Sequence, residues 1–216
     1  MDHERVASGE ARLRLAQVVP CTEAEGPGHR FAIWVQGCPL RCPGCCNPEM
    51  LPFEGGWETT VDELAKWAGR AAAEDGVEGI TLLGGEPLAQ AAGAAALARQ
   101  VRTLGLSVMV FSGFTLEEIR ASADPDALEL LAHTDLLVDG PYLRDQPEPR
   151  RRWIGSSNQR IHALTDRYRV DDPRWSGQNT LELRLVGGEL TVNGFPASSA
   201  VGLWRRPRDT RPSERS

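Results

Sequence analysis

Apolar and polar positions change rhythm repeatedly along the chain, and the rhythm fixes most of the elements. Arg12 to Val18 alternates polar and apolar, the period of a half-buried strand. Phe31-Ala32-Ile33-Trp34-Val35 is apolar throughout, as a strand covered on both faces would be. Thr60-Val61-Asp62-Glu63 has the Thr-x-x-Glu form of a capping box. The helix it opens carries Val61, Leu64, Ala65, Ala68, Ala71 and Ala72 on one face. Trp67 falls on the opposite, charged face, where packing against a neighbouring loop is preferred to a partner contact.

Three further apolar strands are predicted: Ile80–Leu83, Val108–Phe111 and Leu136–Val138. Helices separate them. One runs through the Ala-rich stretch to Leu104 and stops at Gly105; one begins at Thr115; one has Asp124 as N-cap and Pro125 at its first position. Strand and helix in alternation, with strands apolar on both sides, mean an α/β fold with a parallel sheet and helices packed on it. Later, Thr180–Leu185 and Glu189–Val192 alternate around Gly187-Gly188 and predict a β-hairpin, with the edge near the first strand as its expected place. From Arg205 onward the chain is Arg, Pro, Ser and Thr, and a disordered tail over 205–216 is expected.

The chain has 216 residues, enough for one compact domain. A single domain is expected over 1–204, with a core at 28–162 and an extension at 163–204. Net charge is −6, against a broad nucleic-acid footprint. No apolar run reaches the ~18 residues of a membrane span, and the charged start does not read as a signal peptide. A cytoplasmic location is the expectation.

Chemistry concentrates in the cysteines. Of five, four lie between Cys38 and Cys46, in a stretch whose prolines, Pro39, Pro43 and Pro48, forbid a helix. An odd number without a secretion signal argues against a disulfide framework. Cys38, Cys42 and Cys45 have the spacing C-x3-C-x2-C. Three thiolates, where an iron–sulfur cluster usually takes four, leave one iron open to an outside ligand. Other uses stay open: Cys46 as a fourth ligand, a structural zinc, or buried free thiols. Adjacent side chains in an extended loop point apart, which weighs against Cys46. Zinc lacks a second ligand pair, since His29 is the nearest histidine and Cys21 stands alone. The cysteine loop, Gly84-Gly85-Glu86-Pro87, Ser112-Gly113 and Asp139-Gly140 all leave the carboxyl ends of strands, where ligands of parallel α/β sheets bind.

C-x3-C-x2-C followed by Gly-Gly-Glu-Pro resembles the radical S-adenosylmethionine (SAM) superfamily. The nearer resemblance, to the anaerobic ribonucleoside-triphosphate reductase activating proteins, rests on Gly37 to Asn47, Val110–Phe114, Val138–Tyr142 and Ile154–Arg160. It covers roughly Gly28 to His162 and leaves out the hairpin and tail. The resemblance implies an incomplete parallel (β/α)6 barrel with a C-terminal hairpin added. It implies that Cys38, Cys42 and Cys45 ligate a [4Fe–4S] cluster whose fourth iron is chelated by the amino and carboxylate groups of SAM. Gly84 and Gly85 would approach the methionine part of SAM, the backbone at Gly44 and Cys46 its adenine, and Ser112 and Asp139 its ribose or sulfonium side. Glu86 would either accept from the SAM ammonium or shape the loop.

The implied activity is reductive cleavage of SAM to a 5′-deoxyadenosyl radical that installs a glycyl radical on a ribonucleotide reductase-like partner. A low-potential donor such as flavodoxin or ferredoxin would supply the electron. Two alternatives stand beside it: a radical SAM enzyme acting directly on a small molecule or peptide, and a cluster-bearing binding module without SAM chemistry. Two departures from the pattern are visible. Cys46 stands where many relatives carry an aromatic or histidine, and Asp139-Gly140-Pro141 lacks the lysine found two residues after the aspartate in some glycyl-radical activases.

Overall fold

The computed structural model describes residues 11–186 and 189–194. Seven strands form one mixed sheet: β1 (Arg12–Thr22), β2 (Arg30–Val35), β3 (Trp57–Thr60), β4 (Gly79–Gly84), β5 (Ser107–Phe111), β6 (Leu136–Asp139) and β7 (Arg160–Ala163). Their spatial order is β3-β1-β2-β4-β5-β6-β7. The four apolar strands β2, β4, β5 and β6 pair in parallel, as expected. Six parallel strands do not form among the described residues; β1 and β3 on one side and β7 on the other run antiparallel. The reason at β1 is connection length. Residues 23–29 are too few for the dozen or more that a parallel crossover needs. The strands at the two edges, β3 and β7, are short and partly exposed, and carry no apolar run that sequence patterning detects.

Helices α1 (Val61–Asp75), α2 (Ala91–Thr103), α3 (Leu116–Ala121) and α4 (Pro125–Ala132) lie in the connections between successive parallel strands. The Thr60–Glu63 capping box forms, and Thr115–Glu118 makes a second. Asp124 caps α4 by accepting from the Asp126 N–H. Strand residues divide by parity. Phe31, Ile33, Val35, Ile80, Leu82, Val108, Val110 and Leu137 pack in the main core with the apolar faces of α1, α2 and α4. Trp67 is half-buried against this core rather than against a neighbouring loop.

The alternate residues build two smaller clusters on the other face. Ala32, Trp34 and Leu83 meet Val19 and Met50. Met109, Leu136 and Val138 are covered by Trp153, Ile154 and Trp175, the two indoles meeting edge to face at 5.3 Å. Arg30 is wholly buried at the start of β2 and is satisfied by Thr81, Ser107, Tyr168 and the Ile80 carbonyl.

β8 (Leu181–Val186) and β9 (Glu189–Gly194) form the predicted hairpin, with Val186 opposite Glu189. It does not extend the main sheet beside β1; it is a two-stranded sheet of its own. Side chains fasten it instead. Asn193 Nδ2 donates to Thr22 Oγ1 at 2.9 Å, Glu182 accepts the Glu23 N–H at 2.9 Å, and Arg184 donates to the Cys21 carbonyl. The Gly187-Gly188 turn and the expected tail at 205–216 lie outside the described residues. Among the described residues no helix is long and apolar enough to cross a membrane.

Candidate cluster and cofactor site

The cysteine loop begins where β2 ends, and its base is tied shut. Gly37 N–H donates to Met50 O at 2.9 Å and Cys38 N–H to Leu51 O at 3.1 Å. Gln36 Nε2 reaches the carbonyls of Glu49 and Pro52, at 3.1 and 2.7 Å. Cys38 is buried at this base, while Cys42 and Cys45 are half-buried further out. A turn closes the outer part, with Cys45 N–H donating to Cys42 O at 3.1 Å and Gly44 at φ +76°. The Asn47 N–H points at Cys45 Sγ, 3.4 Å away.

Burial pushes the Cys38 thiol up, although the backbone N–H groups of Arg41 and Leu40 pull against it. Cys45 is held down to about 6, chiefly because the Cys46 thiol donates to it; Cys46 is raised correspondingly. Cys46 itself is exposed at the edge of this turn.

Among the described residues no three Cys, His, Asp or Glu side chains converge as a ready metal cage. The donor set still fits an iron–sulfur group. Three thiols come from one loop without a competing imidazole or carboxylate in the set, and backbone N–H groups are aimed at two of the sulfurs. Convergence on binding is the ordinary behaviour of such loops, whose ligands are gathered by the metal they hold.

The Gly-Gly-Glu-Pro loop at the end of β4 packs against this base. Gly85 N–H donates to Val35 O at 2.8 Å and Glu86 N–H to Gly37 O at 2.9 Å. The glycines are needed for that contact. A Cβ on Gly84, at φ +104°, would lie 2.7 Å from Trp34 Cα, and one on Gly85 would lie 2.3 Å from Gly37 O. Glu86 is buried, with both carboxylate oxygens engaged. Oε1 accepts from Leu88 N–H (2.9 Å) and Ser112 Oγ (3.1 Å), and Oε2 from Gly113 N–H (2.8 Å). Burial raises its carboxyl to about 7 against these three donors. Of the two expected roles, the geometry supports shaping the loop.

Ser112, buried at the end of β5, donates to Glu86, accepts the Phe114 N–H at 3.1 Å, and donates its own N–H to Val138 O at 2.9 Å. Leu40 of the cysteine loop rests on Gly113.

Asp139, at the end of β6, is fully buried. It accepts from Leu116 N–H at 2.6 Å and pairs with Arg160, which also holds Glu117. Burial pushes its carboxyl up, but Arg160, the Leu116 N–H and neighbouring His162 outweigh that and leave it below the usual carboxylate range. Arg160 stands opposite Asp139 in the β6–β7 register. The motif that contains it gave no separate sign of this pairing, because β7 was not legible. Asn158 Nδ2 holds Pro141 O at 2.8 Å and Gln159 Nε2 holds Gly140 O at 3.0 Å. The Ile154–Arg160 motif thus clamps the loop after β6.

The loops after β4, β5 and β6 each touch the cysteine loop, through Gly85 and Glu86 on Gly37, Gly113 on Leu40 and Arg144 on Gly44. Of the site residues expected from sequence, Gly85 and Glu86 pack on Gly37, while Glu86, Ser112 and Asp139 spend their side chains on protein partners.

A protein-family pattern described as a 4Fe-4S single cluster domain matches residues 24–162. The anaerobic ribonucleoside-triphosphate reductase-activating protein of Vibrio cholerae serotype O1 is 31% identical over 154 residues, 69% of this chain and 97% of that protein. The protein of the same name from Salmonella typhimurium is 32% identical over 157 residues, 70% and 99% of the two chains. That from Enterobacteria phage T4 is 28% identical over 154 residues, 69% and 94%. The chain belongs to the family of anaerobic ribonucleoside-triphosphate reductase-activating proteins.

Proposed function

We propose that this protein is a radical SAM activase for an anaerobic ribonucleotide reductase-like partner. When bound, a [4Fe–4S] cluster and SAM supply reductive cleavage of the sulfonium and a 5′-deoxyadenosyl radical able to take hydrogen from a glycine Cα. The observation that carries this reading is a three-cysteine loop, in a chain of this family, braced by three neighbouring strand-end loops. Cys38, Cys42 and Cys45 are the proposed cluster ligands. Gly44, Cys46, Gly84 and Gly85 offer backbone toward SAM. Glu86, Ser112 and Asp139 hold the surrounding loops in place, with Glu86 and Ser112 joining the ends of β4 and β5 and Asp139 joining β6 to α3. The electron comes from a low-potential carrier of the flavodoxin or ferredoxin kind. We read the four parallel strands with their antiparallel flanks as an incomplete barrel of the radical SAM type.

Anaerobic reconstitution with iron and sulfide, followed by electron paramagnetic resonance of the reduced protein with and without SAM, tests this directly. A change of the cluster signal on adding SAM is expected. Cys38→Ala, Cys42→Ala and Cys45→Ala should each abolish 5′-deoxyadenosine formation, while Cys46→Ala should retain it. A reduced cluster signal that ignores SAM would overturn the activase reading. Cluster loss in Cys46→Ala alone would overturn the ligand assignment.

A further inference from the structure

The hairpin β8–β9 lies past the family match, which ends at residue 162. Its two faces differ in chemistry. In the register of the pair, Glu182 stands opposite Asn193 and Arg184 opposite Thr191 on one face. Leu181, Leu183 and Leu185 stand opposite Gly194, Val192 and Leu190 on the other. The polar face is the one turned to the body of the protein. Glu182 accepts the Glu23 N–H at 2.9 Å, and Asn193 donates to Thr22 Oγ1 at 2.9 Å. Arg184 donates to the Cys21 carbonyl and pairs with Glu182 at 2.8 Å. The apolar face is turned outward: Leu183 is 56% exposed and Leu185 73%. This inverts the usual arrangement, in which the apolar face of a strand pair is packed and the polar face solvated. Two strands with their apolar face uncovered are marginal in water.

We propose that the outer face of the hairpin is the docking surface for the chain's own segment Phe195–Trp204. The chain runs on directly from Gly194, the last residue of β9, so the segment starts at the edge of that face. Its ten residues carry no charge and include Phe195, Val201, Leu203 and Trp204. Fully extended they reach about 33 Å, against about 20 Å for the six residues of β8. That leaves enough chain to turn at Pro196 and recross Leu181, Leu183 and Leu185. Docking removes apolar area from water on both sides of the contact. The tether favours this segment over a separate molecule, because a segment on so short a link is present at an effective concentration in the millimolar range. The other stretches outside the described residues have the wrong chemistry. Residues 1–10 include Asp2, Glu4, Arg5 and Glu10, and 205–216 is rich in arginine.

The test uses the full chain with the photo-crosslinker p-benzoylphenylalanine in place of Trp204, an aromatic of similar bulk. After irradiation the products are separated by size and mapped by mass spectrometry. Crosslinks from position 204 to β8 within single chains are expected. Hydrogen exchange supplies a second reading. Leu203→Asp combined with Trp204→Asp should speed exchange of the β8 amides about ten-fold or more, while Arg211→Ala, beyond the segment, should leave it unchanged. Circular dichroism confirms that each variant is folded. Crosslinks confined to covalent dimers would give the face to a second copy of the chain and overturn the assignment. Crosslinks that miss β8, an absence of crosslinks, or β8 exchange that ignores the double substitution would overturn it as well.

Discussion

At the scale of single residues, the site is built from side chains that hold loops. Glu86 shows the consequence most sharply. Its folded carboxyl lies near 7 against an ordinary 4.5, so the folded state keeps a proton that the unfolded chain gives up. Stability therefore falls as pH rises from about 4.5 to about 7 and levels off above, a swing of roughly 3 kcal/mol at most. Glu86→Gln should remove that slope in urea titrations across the range. It should also cost about 1–3 kcal/mol, because an amide NH2 cannot serve all three donors now facing the carboxylate. Retention of the full slope in the variant would show that another group titrates there. Gly85→Ala tests the neighbouring contact. Its Cβ would meet Gly37 O at 2.3 Å, and the expected result is a loss of about 1–3 kcal/mol with impaired cluster loading, since Gly37 begins the cysteine loop. The Gly-Gly-Glu-Pro motif was legible as a site signal. That its glycines are required by the end of β2 was not, because the requirement exists only once β2 and β4 are paired.

At the scale of elements, Asp139 and Arg160 join β6, β7 and the start of α3. Removing Arg160 leaves a buried carboxylate with the Leu116 N–H and the His162 imidazole, its Nε2 3.0 Å away, as its remaining partners. Arg160 is itself half open to solvent, so Arg160→Ala should cost about 2 kcal/mol, below the 3–5 of a fully buried pair. The pH response follows from the direction of the shift. A carboxyl held below its unfolded value of 3.8 contributes stability above that pH and loses it as acid protonates the folded form. Without Arg160 the carboxylate loses its largest stabilising partner, and acid unfolding of the variant should begin at higher pH, as followed by circular dichroism. An unchanged acid limb would count against the pair. The helices and the four parallel strands were readable at this scale from periodicity and caps. β3 and β7 were not, because Trp57–Thr60 and Arg160–Ala163 are too short and too polar to show a pattern.

At the scale of the whole molecule, the chain past the family match helps to cover one face of the sheet. Trp175 lies beyond residue 162 yet is buried against Trp153 over Met109, Leu136 and Val138. Trp175→Ala should cost about 3–5 kcal/mol by denaturant titration, since it opens a cavity under Trp153; a loss below 1 kcal/mol would mean that the extension is not part of the core. Sequence alone determined the α/β class, the parallel strands, the helix caps, the hairpin and the clustering of four loops at strand ends, because each is written in local spacing. Tertiary structure decided the rest: which strands turn antiparallel, where the hairpin is fastened, and which carboxylates are consumed inside the protein. Those outcomes depend on atoms brought together from distant parts of the chain, and local spacing holds no information about such pairings.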